Sequence, residues 1–122
     1  MALFDPTQNL LEGAMRGAAA RQSALAQNLA NANTPGYRRV DVDFHSVLRR
    51  AAEERTVEAA DAAAHATFAP AVDGAATMRL DGGTVDLDVE AANLSQNGLE
   101  YQALVSVARG RIAILESAIG VR

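Results

Sequence analysis

From Leu87 to Ile119 the chain places apolar and small residues at unbroken steps of three and four: Leu87, Ala91, Leu94, Gly98, Tyr101, Val105, Ala108, Ile112, Leu115 and Ile119. That spacing, held for more than four heptads, describes a long α-helix that buries one narrow stripe against other helices. Asp86 stands where an N-cap belongs, Asp88 and Glu90 complement the dipole of the first turn, and Gly120 suits the reversal after the last. A helix over about 87–119 is therefore expected.

A partner is expected near the other end, over about 6–32. Asp5 can accept hydrogen bonds from the first free amides, and Pro6 suits the first helical position. The stripe here is Phe4, Leu11, Met15, Ala18, Leu25, Leu29 and Ala32, and Pro35 drives Thr34 out of the helical region. Both stripes are rich in small residues. Of the 122 residues 49% are hydrophobic, yet 27 are Ala, which buries little area. Two helices with one seam make no closed core. Such a pair either dimerises into a four-helix bundle or completes its core inside a larger assembly.

The middle, about 50–84, has a different character. Ala51–Ala64 has helix-forming composition without a large apolar stripe, so at best a fraying helix is expected there. Ala69-Pro70, Asp73-Gly74 and Leu80-Asp-Gly-Gly-Thr84 are turn signals, and Val40-Asp-Val-Asp-Phe44 alternates as a short strand would. The fold class expected is all-α: two long terminal helices in an antiparallel coiled-coil-like pair. A turn and extended segment over 33–48 and a largely irregular, mobile middle join them, with a possible short strand or hairpin. There are no internal repeats, and one domain spans 1–122.

Little in the sequence supports catalysis. Without Cys there is no disulfide, thiolate ligand or cysteine nucleophile. His45 and His65 lie twenty residues apart with no triad-like serine nearby. Asp81, Asp86, Asp88 and Glu90 miss the spacing of a calcium loop and its required glycine. No cofactor, metal or catalytic residue is expected. The net charge of −4 hides an acidic middle between mildly basic ends, and the 11 basic residues, all Arg, are too dispersed for nucleic-acid binding. No run approaches a membrane span, so no direct membrane insertion is expected.

One segment says more than a helix stop requires. Asn28-Leu-Ala-Asn31-Ala-Asn33-Thr34-Pro35-Gly36-Tyr37 reads physically as a helix exit, with Asn31 or Asn33 able to take left-handed geometry. A type II turn follows, in which Pro35 sets φ and Gly36 takes φ > 0. The ordered string resembles the signature of the bacterial flagellar axial proteins, the rod and hook family. The far end, Val85-Asp-Leu-Asp-Val-Glu90, Leu99-Glu-Tyr101-Gln-Ala-Leu-Val105 and Arg111-Ile-Ala-Ile-Leu-Glu-Ser-Ala-Ile119, is similar to the terminal helix of its proximal-rod members. Together these regions cover residues 1–48 and about 79–120.

The resemblance implies a structural subunit of the proximal rod of the flagellar basal body, in the periplasmic space. Its terminal helices would pack with copies of itself and other rod and basal-body proteins into a helical drive shaft and export tube. It also implies export by the flagellar type III apparatus without a cleaved signal peptide. Phe44-His-Ser-Val-Leu48 is similar to a short export-gate motif, in which Phe44 and Leu48 would share one helical face. The residues expected to matter are the signature turn, Asn28, Asn31, Asn33, Thr34, Pro35, Gly36 and Tyr37; the assembly seams, Leu11, Met15, Leu25, Leu29, Leu94, Tyr101, Val105, Ile112, Leu115 and Ile119; and Phe44 with Leu48. Another axial protein such as the C-type rod protein, or a dimeric coiled-coil adaptor outside the flagellum, are the alternatives.

Overall fold

In the computed structural model, residues 5–80 and 82–120 are described. The elements run α1 (Pro6–Ala30), β1 (Val40–Asp41), α2 (Phe44–Glu54), α3 (Val57–Ala64), β2 (Ala71–Val72) and α4 (Leu87–Ala118). The terminal helices fall where the stripes place them, within two residues at each end. Asp5 caps α1 by accepting from the Gln8 amide, and Asp86 caps α4 by accepting from the amides of Asp88 and Val89. Phe4, the first residue of the α1 stripe, lies outside the described residues, as does Asp81.

The helices pair antiparallel. Asn28 near the end of α1 bonds to Glu90 near the start of α4, Asn97 bonds to the Ala18 carbonyl, and Arg111 reaches back to Asp5. With seven fewer residues, α1 is about 10 Å shorter, so α4 runs on past the Asp5–Arg111 pair for another two turns.

The exit from α1 differs from expectation in one respect. Asn31 is the C-cap at φ −105° and ψ 15°, and neither it nor Asn33 is left-handed; the one non-glycine residue with positive φ among the described residues is Arg55, between α2 and α3. The Asn31 side chain donates to the Gln27 carbonyl, which satisfies the helix end without a reversal. The change of hand is deferred to the turn, where Gly36 has φ 76° and the Tyr37 amide donates to the Thr34 carbonyl.

The middle is more regular than its turn signals indicate. Phe44 opens a helix instead of ending a strand, with Asp43 as N-cap accepting from the Ser46 amide, and α3 follows with Thr56 as its cap. Both pack on α1, where Gly13 and Gly17 stand one turn apart. A Cβ added at Gly17 would fall 2.4 Å from the Phe44 Cβ, and one at Gly13 would lie 2.7 Å from the Ala63 carbonyl oxygen. These two glycines let Ala-rich helices with no bulky stripe approach closely enough to bury Ala60, Ala63 and Ala64. Ala18, Ala24, Val42 and Phe44 form the core, flanked by Val40, Leu48, Phe68 and Leu104. The short strands pair antiparallel, Val40 opposite Val72 and Asp41 opposite Ala71.

Gly17→Ala is expected to lower unfolding stability by about 1–3 kcal/mol through overpacking against Phe44, even though Ala favours the helix by about 1 kcal/mol. Gly98→Ala, where an added Cβ meets nothing within 4 Å, should stabilise. Urea denaturation of the two variants checks both signs.

Candidate assembly surface and the polar node behind it

Asn28, fully buried, ties the signature turn to both long helices. Its Nδ2 donates to the Val40 carbonyl at 2.7 Å and to Glu90 at 3.3 Å, while its Oδ1 accepts from the Val40 amide and from the Tyr37 hydroxyl, each at 2.9 Å. The amide thus acts as a backbone partner for a strand-like segment. Asn31 caps the helix and accepts from the Thr34 hydroxyl at 3.1 Å, Pro35 and Gly36 form the turn, and Tyr37 closes it onto Asn28. Asn33 is exposed, and its side chain makes no hydrogen bond among the described residues.

Behind Asn28 lies an ionic cluster. Glu90, 1% exposed, receives Arg39 Nε as well as Asn28, and the guanidinium of Arg39 also reaches Asp73 at 2.6 Å and Asp41 at 3.2 Å. Arg21 from α1 completes the cluster on Asp41 at 2.9 Å. Burial opposes the charge on Arg39, but Glu90 and Asp41 outweigh it and push its pKa up. At Asp41 burial likewise raises the carboxyl; hydrogen bonds from Arg21 and the Val42 amide and the two guanidinium charges prevail and hold it below the usual carboxylate range. Burial, and next the Glu90 charge, raise the Tyr37 phenol. The node joins α1, the turn, β1, the 73 loop and α4.

That position decides which seam residues stay uncovered. On α1, Leu25 is fully buried, Leu11 and Met15 are half-buried, and Leu29 is exposed. On α4 the face against α1 runs Glu90, Leu94, Asn97, Tyr101, Leu104, Ala108 and Arg111, which shares only Leu94, Tyr101 and Ala108 with the expected stripe. Within the pair Val105 is half-buried, and beyond the start of α1 the stripe loses its cover: Ile112, Leu115 and Ile119 are 48%, 60% and 75% exposed. Phe44 is fully buried and Leu48 packs beside it against Gly13, so this pair faces inward.

Arg39, Asn97 and the Gly13–Gly17 pair escaped the sequence reading, as did the burial of Glu90, which it takes only as a first-turn acid. Glu90 and Asn97 are polar at positions where a stripe search admits only apolar residues. The four-residue glycine spacing is a signal that could have revealed the close approach. His45 lies in α2, stacks on Phe44 and bonds to Glu100 at 2.7 Å. His65 caps α3. Among the described residues no group of His, Cys, Asp or Glu could hold a metal ion, and no helix is long and apolar enough to cross a membrane.

Glu90→Ala leaves Arg39 its bonds to Asp73 and Asp41 but removes the acceptor of its Nε and one acceptor of Asn28, and is expected to cost about 1–3 kcal/mol, whereas Glu90→Gln keeps a hydrogen-bond acceptor and should cost less; urea unfolding ranks them. Asp41 gives a pH dependence with a defined sign. Because its folded pKa is depressed, its contribution is complete above the unfolded value of 3.8 and disappears as pH falls through the folded one. The stability gap between the native chain and Asp41→Asn should therefore be constant from pH 5 to 7 and shrink below about pH 4. A gap unchanged at pH 3 would remove Asp41 from the node.

Residues 9–38, which hold most of α1 and the turn, match the family described as "Flagella basal body rod protein". Relatives named flagellar basal body rod protein FlgB align over most of both chains. The protein of Cereibacter sphaeroides is 38% identical over 81% of this chain and 82% of its own. That of Salmonella typhimurium is 35% identical over 85% and 86%, and that of Bacillus subtilis 29% over 98% and 97%. The alignments thus extend well past the signature turn, and by them the chain belongs to the FlgB family of flagellar basal body rod proteins, structural components of the flagellum.

Proposed function

We propose that the chain is a polymerising subunit of the proximal rod. Its terminal helices pack against neighbouring copies and other rod proteins to build the helical drive shaft and its export channel in the periplasmic space. The observation that carries this reading is the open half of the α4 seam. Ile112, Leu115 and Ile119 extend past the start of α1 and stand in solvent. An isolated globule has no use for such a protrusion, whereas in an assembly neighbouring helices bury it.

Tyr101 is the point at which to test it. It sits at the border between the covered and open halves of the seam and is 38% exposed, so a charge there should be tolerated by the fold. Tyr101→Asp is expected to abolish swimming and rod formation while leaving the helical circular dichroism of the purified chain intact. Unimpaired swimming by this variant would end the seam assignment.

Export by the flagellar type III apparatus is the second part of the proposal. Because Phe44 is buried in the folded subunit, an export gate that reads Phe44 and Leu48 must meet the chain before α2 docks on α1. The core is small enough for that to be inexpensive. Phe44→Ala should cut export at least tenfold, whereas Gly17→Ala, which loosens the same contact without altering the motif, should leave export unchanged or raise it. Equal export of the two variants would reduce Phe44 to a packing residue.

A further inference from the structure

A second apolar ridge runs along α4 on the side away from α1. Val89, Ala92, Leu99, Ala103, Val107, Gly110 and Ile114 follow one another at three- and four-residue steps with only Gln96 between. At 100° per residue they lie roughly opposite Leu94, Tyr101 and Ala108. The ridge carries no ionised side chain, and Leu99 and Ile114 are 68% and 69% exposed. A helix apolar on both faces belongs in an interior, and the described residues supply cover for only one.

The same molecule carries a matching groove. Between α1 and α4 a recess of about 340 Å³ is floored by Ala18, Ala19 and Gly98 and walled by Gln22, Tyr101 and Gln102. A second recess of about 410 Å³ continues it past Val105 to Arg109. A Cβ at Gly98 would meet nothing within 4 Å, so the glycine is not required by packing inside the chain. Beneath the floor, Asn97 spends its amide hydrogens on Ala18 and Gln22 and leaves its buried Oδ1 without a donor.

The surface area fits two such contacts. The chain exposes 8176 Å², against about 6,300 Å² for a compact monomer of its mass. The surplus of about 1,900 Å² is close to twice the roughly 800 Å² that one partner contributes to a standard interface.

Building on the rod reading, we infer that the Leu99–Val107–Ile114 ridge of one copy seats in the Ala18–Ala19–Gly98 groove of the next. Ridge and groove are different surfaces on different sides of α4, so the contact is heterologous and each copy passes it on, instead of closing a two-fold dimer. Gly98 keeps the groove open, which accounts for a glycine in mid-helix despite its cost of about 1 kcal/mol.

The absence of native Cys makes disulfide mapping clean. In basal bodies isolated from cells, the double variant Ala19→Cys with Val107→Cys should oxidise to products of three or more chains, while either single variant stays monomeric. Adding Gly98→Leu, which fills the groove from a position where a Cβ meets nothing within 4 Å, should lower the cross-linked fraction at least tenfold. Two results overturn the inference and leave the rod reading standing: dimers from Val107→Cys alone, which mean back-to-back pairing, or no product from the double variant in basal bodies that contain it. Absence of even the unmodified chain from basal bodies would defeat the rod reading instead. The same cross-linking on concentrated purified chain then decides the contact, with linked multimers supporting it and their absence refuting it.

Discussion

The carboxylate of Glu90 lies inside the protein in the first turns of α4, where an unpaired charge would cost several kcal/mol. Its neutralisation sets much of the rest. Arg39 supplies the charge and Asn28 a hydrogen bond, and these residues come from the segment after the turn and from the end of α1. Satisfying one buried group therefore fixes the register of the helix pair, the exit path of the chain and the point where β1 begins. Asp41 and Asp73 extend the arrangement to Arg21 and to the loop after β2. The signature string is the part of this node that is local in sequence.

With the register set at one end, packing along the pair is governed by how closely backbones can approach. Gly13 and Gly17 open one side of α1 to α2 and α3, and Phe44 fills the space they leave. The result is a small core made largely of Ala and held in place by polar contacts at the open end. Such a core stabilises modestly and leaves the bulky aliphatic residues of α4 outside. Both properties suit a subunit of the FlgB family, whose place is in a rod rather than free in solution.

Much of the secondary structure was legible because its causes are local. Asp5-Pro6 and Asp86 cap helices through their own neighbours, Pro35 and Gly36 turn the chain through their own torsions, and the three-and-four spacing needs only the helical period. The α2–α3 pair was not legible, since its Ala residues acquire meaning only opposite Gly13 and Gly17. The orientation of α4 was also hidden. A stripe of apolar residues indicates that a face is buried, but Glu90 and Asn97, polar in sequence and buried in space, turn the contact toward themselves and leave their neighbours Ala91 exposed and Gly98 half-buried.

The sequence by itself determined that two long helices flank a signature turn, that no cysteine chemistry is available and that the apolar supply is too thin for a thick core. Only the tertiary structure decided which face of each helix is covered, that the middle folds onto α1, and which hydrophobic residues remain for neighbours. The division follows range: caps, turns and helical period depend on residues at most four apart, whereas burial of Glu90 depends on Arg39, 51 residues away, and exposure of Ile112, Leu115 and Ile119 depends on where α1 begins.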